Sequence, residues 1–248
     1  MNTLDLDDPS YFISDVHLSD ARPEITERFI GFFQWLFNAP TRPRNIFILG
    51  DLFDVWLGDD LNTPLIKTLT ALFQRCQDFQ INLYFMAGNR DYLLGQQFSQ
   101  KAGIKILSDP TIATICNHKI LLTHGDQFMT LDKKYMWYRS VAQHHFIKNN
   151  FPKLPLWLRS NFAEFLRTRS KKQNTQKPSY IMDADPNSVL GWMKKYQTPY
   201  LIHGHVHNLG VHEHETGTRY VLGDWYKQGN YIQVEKQGVF LNPFLPSA

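Results

Sequence analysis

With only two cysteines, Cys76 and Cys116, among 248 residues, the chain cannot build a disulfide framework, which favours a reducing compartment. Nowhere do about 18 apolar residues run together, so no transmembrane helix is expected. The opening MNTLDLDDPS is acidic and lacks both a basic region and an apolar run, so no signal peptide is expected and the cytoplasm is the expected compartment. Internal repeats and low-complexity runs are also missing, which sets solenoids and biased tails aside. Hydrophobic residues at 43% and charged residues at 20% exclude a disordered or fibrous chain. The length fits one domain, or one domain with a sizeable insertion.

The net charge of +3 is small, but it is unevenly spread. Residues 129–177 hold seven Lys and four Arg against Asp132 and Glu164, a net +9, which leaves −6 for the rest of the chain. Such asymmetry points to an anionic partner at the basic segment: nucleic acid, a membrane surface or a phosphorylated substrate. The same segment is rich in Phe, Trp, Tyr and Leu and reads as a separate module.

Short apolar runs at 11–14, 46–49, 81–86 and 120–123 read as strands. Between the first two, Ile25, Phe29, Phe32 and Leu36 recur at helical spacing; between the next two, Leu65, Leu69, Leu72 and Cys76 do so. This order predicts an α/β sheet with crossover helices. Runs at 111–116 and 119–123 form a hairpin around Asn117-His118, so the sheet is mixed. Residues 129 to about 195 read as interrupted helix, and strands return at 200–202, 220–222, 231–234 and 239–241. The expectation is an α/β core of two sheets at 1–128 and 196–248, crossed by a helical insertion at 129–195.

Each early strand ends in polar residues suited to metal binding: Asp15-Val16-His17, Gly50-Asp51, Gly88-Asn89-Arg90-Asp91, His124-Gly125-Asp126, and later His203-Gly204-His205-Val206-His207. Ligand sites in open α/β sheets lie beyond the carboxyl ends of the strands, so the five clusters converge. Asp15-Val16-His17 or Gly88-Asn89-Arg90-Asp91 alone reads as a turn, and His205 and His207 at i and i+2 share a face but are weak alone; the ordered set at strand ends is what carries weight. Carboxylate, imidazole and amide ligands without thiolate suit Mn, Fe, Zn or Mg. The ligand number exceeds one tetrahedral ion, so two ions are the economical reading, and Asp51 has lone pairs enough to bridge them. Two such ions clamp a phosphoryl oxygen and acidify a water, the chemistry of a phosphate-ester or anhydride hydrolase.

With these blocks the sequence resembles the calcineurin-like metallophosphoesterases, whose pattern is D-x-H, G-D, G-N, H and G-H-x-H. The resemblance implies a two-sheet αββα sandwich. It implies one metal on Asp15, His17 and His207, another on Asn89, His124 and His205, and Asp51 between them. Many members read G-N-H-D at the third block; here Arg90 replaces that histidine, and a guanidinium suits stabilisation of the reacting phosphate. GDLFDVWLGDD, GNRDYLLG and LIHGHVH are similar to the UDP-2,3-diacylglucosamine diphosphatases of lipid A synthesis, over nearly the whole chain. That likeness implies two divalent ions, with manganese expected, and catalytic roles for Asn89 and Arg90. It also implies substrate contacts at Asn89, Arg90, Asp132, Ser170, Asn174, Lys177 and His205. The leader before Tyr11 lies beyond the usual family start and is assigned no function.

The insertion allows two readings. Leu154, Leu156, Trp157, Leu158, Phe162, Phe165 and Leu166 beside Arg159, Arg167, Arg169 and Lys171-Lys172 could form amphipathic helices packed on the core. They could also form a lid with acyl chains on its apolar face and basic residues at anionic headgroups. The second reading predicts a monomeric, peripheral protein on the cytoplasmic face of the inner membrane, with UDP-2,3-diacylglucosamine as substrate and no nucleic-acid partner. A nucleic-acid protein and a non-catalytic module on a phosphoesterase fold are the rivals; the full ligand set argues against the latter. His203 is expected to be structural, and His118, His144, His145, His212 and His214 are expected at the surface or in packing. Asp91 and Asp126 are expected to orient ligand imidazoles or Arg90, and the acidic run Asp54, Asp59, Asp60 to be solvated or to pair with basic lid residues.

Overall fold

A computed structural model describes residues 3–174 and 183–245, apart from the side chains of residues 169–174. One sheet has the order β1 (Thr3–Leu6), β6 (Thr111–Ile115), β7 (His118–Leu122), β8 (Tyr200–His203), β10 (Gly217–Val221), β9 (Gly210–His214). The other has the order β12 (Gly238–Phe244), β11 (Gly229–Glu235), β2 (Ser10–Ile13), β3 (Asn45–Leu49), β4 (Asn82–Met86), β5 (Ile104–Leu107). Strands β2 to β5 are parallel, as crossover helices require, and β11–β12 is an antiparallel hairpin at their edge.

The period-2 alternation of the strands sorts side chains into layers. On β3, Ile46 and Ile48 face the helices while Phe47 and Leu49 face the opposite sheet. Helix α1 (Pro23–Asn38) buries Ile25, Phe29, Phe32, Phe33 and Leu36 on the first of these faces. Helix α2 (Pro64–Asp78), with Thr63 accepting from the Ile66 N–H at 3.3 Å, adds Leu69, Leu72, Phe73 and Cys76. Between the sheets, Phe47 stacks on Phe12 at 4.7 Å and on Tyr84 at 4.6 Å. The expected α/β sandwich of two mixed sheets is therefore the fold.

Several details differ from the sequence reading. The leader contributes β1, which pairs in parallel with β6 at the sheet edge. Strands β5 and β9 and the short helix α3 (Gln96–Ala102) were not expected; each is brief, and α3 ends at Gly103 with φ +71°. The β6–β7 turn is Cys116-Asn117, both at positive φ (48° and 69°), one residue earlier than expected.

The insertion contains α4 (Lys133–Ala142), α5 (His145–Asn150), α6 (Leu156–Asn174) and α7 (Pro186–Tyr196). Val189 and Met193 of α7 pack on Leu121 and Leu201, so α7 is the outer layer of the first sheet and not part of a lid. Helices α4 and α6 are held to the core by ion pairs: Arg139 Nε–Asp126 at 2.7 Å, Arg159–Asp60, and Arg167 Nη2–Asp54 at 2.6 Å. Arg159, expected to face phosphates or headgroups, is instead buried, its Nη1 donating to Leu57 O at 2.6 Å and Asp60 Oδ1 at 2.8 Å. The apolar side chains point outward: Trp157 is 65% exposed, Phe165 58% and Phe162 49%. Packing of this apolar set on the core is limited to Phe162, whose ring lies 5.7 Å from that of Phe151, and to half-buried Leu166; the residue of α6 buried against the core is Arg159.

The stacked layer between the sheets predicts that Phe47→Ala destabilises the chain by about 3–5 kcal/mol, measured by denaturant unfolding. A loss below about 1 kcal/mol would mean that the layer collapses around the cavity.

Candidate metal centre

All five sequence clusters lie in the loops that follow the carboxyl ends of β2, β3, β4, β7 and β8, and they meet at one place. Asp15, His17 and His207 offer ligand atoms within 4.8 Å of one another, and so do Asp51, His124 and His205. Asn89 Oδ1 is 3.2 Å from His124 Nε2, beside the second triad. Asp51 reaches both sets: its Oδ1 is 3.7 Å from His124 Nε2 and its Oδ2 is 4.0 Å from His17 Nδ1.

The backbone at these residues is unusual. Asp15, His17, Asp51, His205 and His207 all have positive φ, between 53° and 67°. L-residues avoid this region at a cost of about 1–2 kcal/mol each. Bonds between the loops hold them there: Asp15 N to Gly50 O at 3.1 Å, His17 N to Asp51 O at 3.0 Å, and Leu18 N to Leu52 O at 2.9 Å. Gly88 and Gly204 permit the close approach, since a Cβ on Gly88 would collide with Asp51 and one on Gly204 with Asp15 and Ser14.

Polar groups around the clusters fix orientation. Asp91 does not touch an imidazole or Arg90, contrary to expectation. Its carboxylate accepts from the N–H groups of Leu52 at 2.7 Å, Gly88 at 2.8 Å, and Asp51 and Phe53 at 3.3 Å, tying the β3 and β4 loops together. Asp126 likewise bonds no ligand imidazole, accepting instead from Arg139 and from the Tyr135 hydroxyl at 3.1 Å. His124 Nδ1 donates to Leu49 O at 2.8 Å, which leaves Nε2 for a metal. His203 is structural, its Nδ1 on Gly204 O and its Nε2 accepting from Arg219 Nε, both at 2.8 Å.

Sequence reasoning missed three contributors. Asp224 lies 3.4 Å from His207 Nδ1 and follows β10, so it carries the strand-end signal that located the others. Tyr135 of α4 packs its ring on His205 at 5.6 Å, and Tyr226 packs on His17 at 5.7 Å; neither belongs to a recognisable motif. Asp132 is buried and caps α4, accepting from the Tyr135 N–H at 3.0 Å. The side chains of Ser170 and Asn174 at the end of α6, and all of Lys177, lie outside the described residues. In the acidic run, Asp54 and Asp60 pair with Arg167 and Arg159 of the insertion, as expected. Asp59 instead accepts from the backbone N–H groups of Gly95 at 2.9 Å and Phe98 at 3.1 Å.

The donors suit cations. His17 Nε2 faces His207 Nε2 at 3.2 Å, and buried His17 Nδ1 has no hydrogen-bond partner. Burial opposes charge on His207, but bonds to Asp15 and Asp224 outweigh it and raise its pKa to about 10. Burial likewise opposes charge on His124, and Asp51 and Asp15 raise it to about 9. Burial lowers His17 and His205, each to about 3. Burial raises Asp51 to about 7. His124 and His207 thus favour a proton at neutral pH, on the imidazoles whose lone pairs a metal would need.

Arg90 extends from the β4 loop, its Nε 3.6 Å from Asp51 Oδ2 and its Nη1 3.0 Å from Asp54 Oδ1. A fork of donors is thereby set beside the Asp51 carboxylate, between the two triads.

These protonation states predict that metal binding near pH 7 releases protons, chiefly from His124 and His207, because both pKa values lie above that pH. Affinity for a divalent cation should therefore rise from pH 6 to pH 8, and calorimetry in buffers of different ionisation enthalpy should report net proton release. Equal affinity at both pH values, with no buffer dependence, would contradict the assignment.

The model of the calcineurin-like phosphoesterase family matches residues 9–209. A UDP-2,3-diacylglucosamine hydrolase of Stutzerimonas stutzeri is 37% identical, over 94% of this chain and 97% of its own. One of Escherichia coli O81 is 35% identical, over 94% and 98%. Among solved structures, a cold-active protein-tyrosine phosphatase of a Shewanella species aligns with a TM-score of 0.51 at 14% identity, over 99% of this chain and 82% of that one; this likeness concerns the fold alone. With its five strand-end clusters on a two-sheet sandwich and a family match covering them, this chain belongs to the calcineurin-like phosphoesterases.

Proposed function

We propose that this protein hydrolyses the diphosphate bond of UDP-2,3-diacylglucosamine to UMP and 2,3-diacylglucosamine 1-phosphate (lipid X), a step of lipid A biosynthesis. The observation that carries this reading is the juxtaposition of two metal-ligand triads with Arg90 and with a lid that exposes apolar side chains. The likeness to hydrolases named for this substrate extends through the lid, which supports a shared substrate.

In this reading Asp15, His17 and His207 hold one divalent ion, Asn89, His124 and His205 the other, and Asp51 serves both; we assign manganese. Bound cations there supply charge neutralisation for the phosphate and an acidified water. Asn89, Arg90 and His205 contact the diphosphate, and Arg90 exchanges Asp54 for phosphate oxygens, its planar fork matching two of them. Tyr135 and Asp224 keep His205 and His207 oriented. Asp132, Ser170, Asn174 and Lys177 complete the substrate contacts from α4, the end of α6 and the residues beyond it. The core is 1–128 with the residues from α7 onward, and the lid lies between.

The exposed Trp137, Phe146, Trp157 and Phe165 supply an apolar surface for the acyl end of the substrate and for the bilayer that holds it. No helix among the described residues is long and apolar enough to cross a membrane. A peripheral monomer on the cytoplasmic face of the inner membrane fits these features. A nucleic-acid track fits less well, because Arg139, Arg159 and Arg167 of the basic segment are spent on carboxylates of the core.

Product analysis with UDP-2,3-diacylglucosamine and manganese should yield UMP and lipid X, and a chelator should abolish both products. Absence of UMP from the metal-loaded protein would refute the reading. Arg90→Ala should lower kcat by roughly 10²–10³, as loss of one preorganised donor does, and Lys should rescue only partly. A normal rate would assign Arg90 to structure. Replacing Trp157 and Phe165 by Ser should weaken co-sedimentation with anionic vesicles while metal content stays at two ions per chain. Unchanged sedimentation would contradict membrane docking through α6.

A further inference from the structure

The centre has a second flank. Tyr135 and α4 meet it at His205, whereas Tyr226 borders the other triad, its ring 5.7 Å from that of His17 and 6.3 Å from that of His207. The segment bearing Tyr226 is firmly placed. The Tyr226 N–H donates to Asp224 Oδ1 at 3.1 Å, Asp224 Oδ2 pairs with His207, and Arg28 donates to the Trp225 carbonyl. Over the Tyr226 ring, at 4.4 Å from its centre, lies the guanidinium of Arg22.

Arg22 differs from the other arginines near the centre in what holds it: Arg28, also without a carboxylate, is tied to the Trp225 and Tyr226 carbonyls. Arg90 is paired with Asp54 and Asp51, Arg139 with Asp126, and Arg167 with Asp54. Among the described residues Arg22 has no carboxylate partner; its one oriented contact is the aromatic face. Cation–π contact leaves the edge of a guanidinium, with its N–H donors, free to bind an anion.

A diphosphate brings two charged phosphoryl groups to the centre, and Arg90 at Asp51 serves only the one that reacts. We propose that Arg22, held over Tyr226, binds the second phosphate and so makes the site selective for diphosphates over simple phosphodiesters. The inference rests on the diphosphatase reading above and adds a residue pair that no motif contains. Tyr226 acts as the positioning residue: it sets the plane of the guanidinium and is itself fixed through Asp224.

The test compares wild type with Arg22→Ala, Arg22→Lys, Tyr226→Ala and Tyr226→Phe, all metal-loaded and matched for metal content. Arg22→Ala should lower kcat/KM for UDP-2,3-diacylglucosamine roughly tenfold more than for bis(4-nitrophenyl) phosphate, the effect of losing one hydrogen bond to a charged group. Its calorimetric Kd for inorganic pyrophosphate should rise by a similar factor, and that for orthophosphate by less. Tyr226→Ala should reproduce this loss of selectivity; Tyr226→Phe, which keeps the ring, should keep most of the wild-type selectivity, and Arg22→Lys, which keeps the charge but not the plane, only part of it. Equal losses on both substrates, or no loss on either, would overturn the proposal. A wild type that cleaves the diester but leaves UDP-2,3-diacylglucosamine intact would instead refute the diphosphatase reading. The preference for pyrophosphate over orthophosphate would then still decide the role of Arg22.

Discussion

Everything at the centre depends on keeping five residues of the two triads in a backbone conformation that L-amino acids avoid. Asp15, His17, Asp51, His205 and His207 leave their strands with positive φ, and that turn aims their side chains across the gap between two sheets. Strain of this kind persists only where the surroundings over-determine it. Here they do so through backbone bonds from the Asp15–Leu18 segment to residues 50–52, and through Asp91, whose one carboxylate gathers four N–H groups from two loops. The parallel order of β2, β3 and β4 delivers those loops to the same end of the sheet, and β7 and β8 deliver the histidines from the facing sheet.

Helix α6 is held by the same economy of charge. A single acidic segment after β3 anchors it: Asp54 takes Arg167 and Arg90 together, and Asp60 takes Arg159. Asp126, two residues after His124, takes Arg139 from α4. Helix α6 is thereby turned with an arginine inward and its aromatic side chains outward, which leaves an apolar surface beside a phosphate-handling centre. A substrate with charge at one end and acyl chains at the other matches that division.

The strand-end clusters were legible because each combines an apolar run with a Gly or a metal-binding side chain, and because parallel strands force such ends together. Asp224 carried the same signal after β10, in a Gly223-Asp224 pair that repeats Gly50-Asp51, and it was legible on the same ground. Tyr135, Tyr226 and Arg22 act through contacts between segments far apart in sequence, which no local spacing reveals. Arg159 was misread for a physical reason: among Leu154, Leu156, Trp157 and Phe162 the hydrophobic residues are assumed to face inward, and here Asp60 reverses the rule by offering a bidentate partner. The strands β1, β5 and β9 escaped notice because four or five residues at a sheet edge carry too little alternation to stand apart from loops.

The claim that two cations sit on this strained framework is tested most directly by anomalous scattering from crystals grown with manganese. Two separate peaks are expected per chain, one within bonding distance of Asp15, His17 and His207, the other of Asn89, His124 and His205, with Asp51 touching both and the five positive φ values preserved. A single peak, or ligand residues relaxed to negative φ around the metal, would contradict the account.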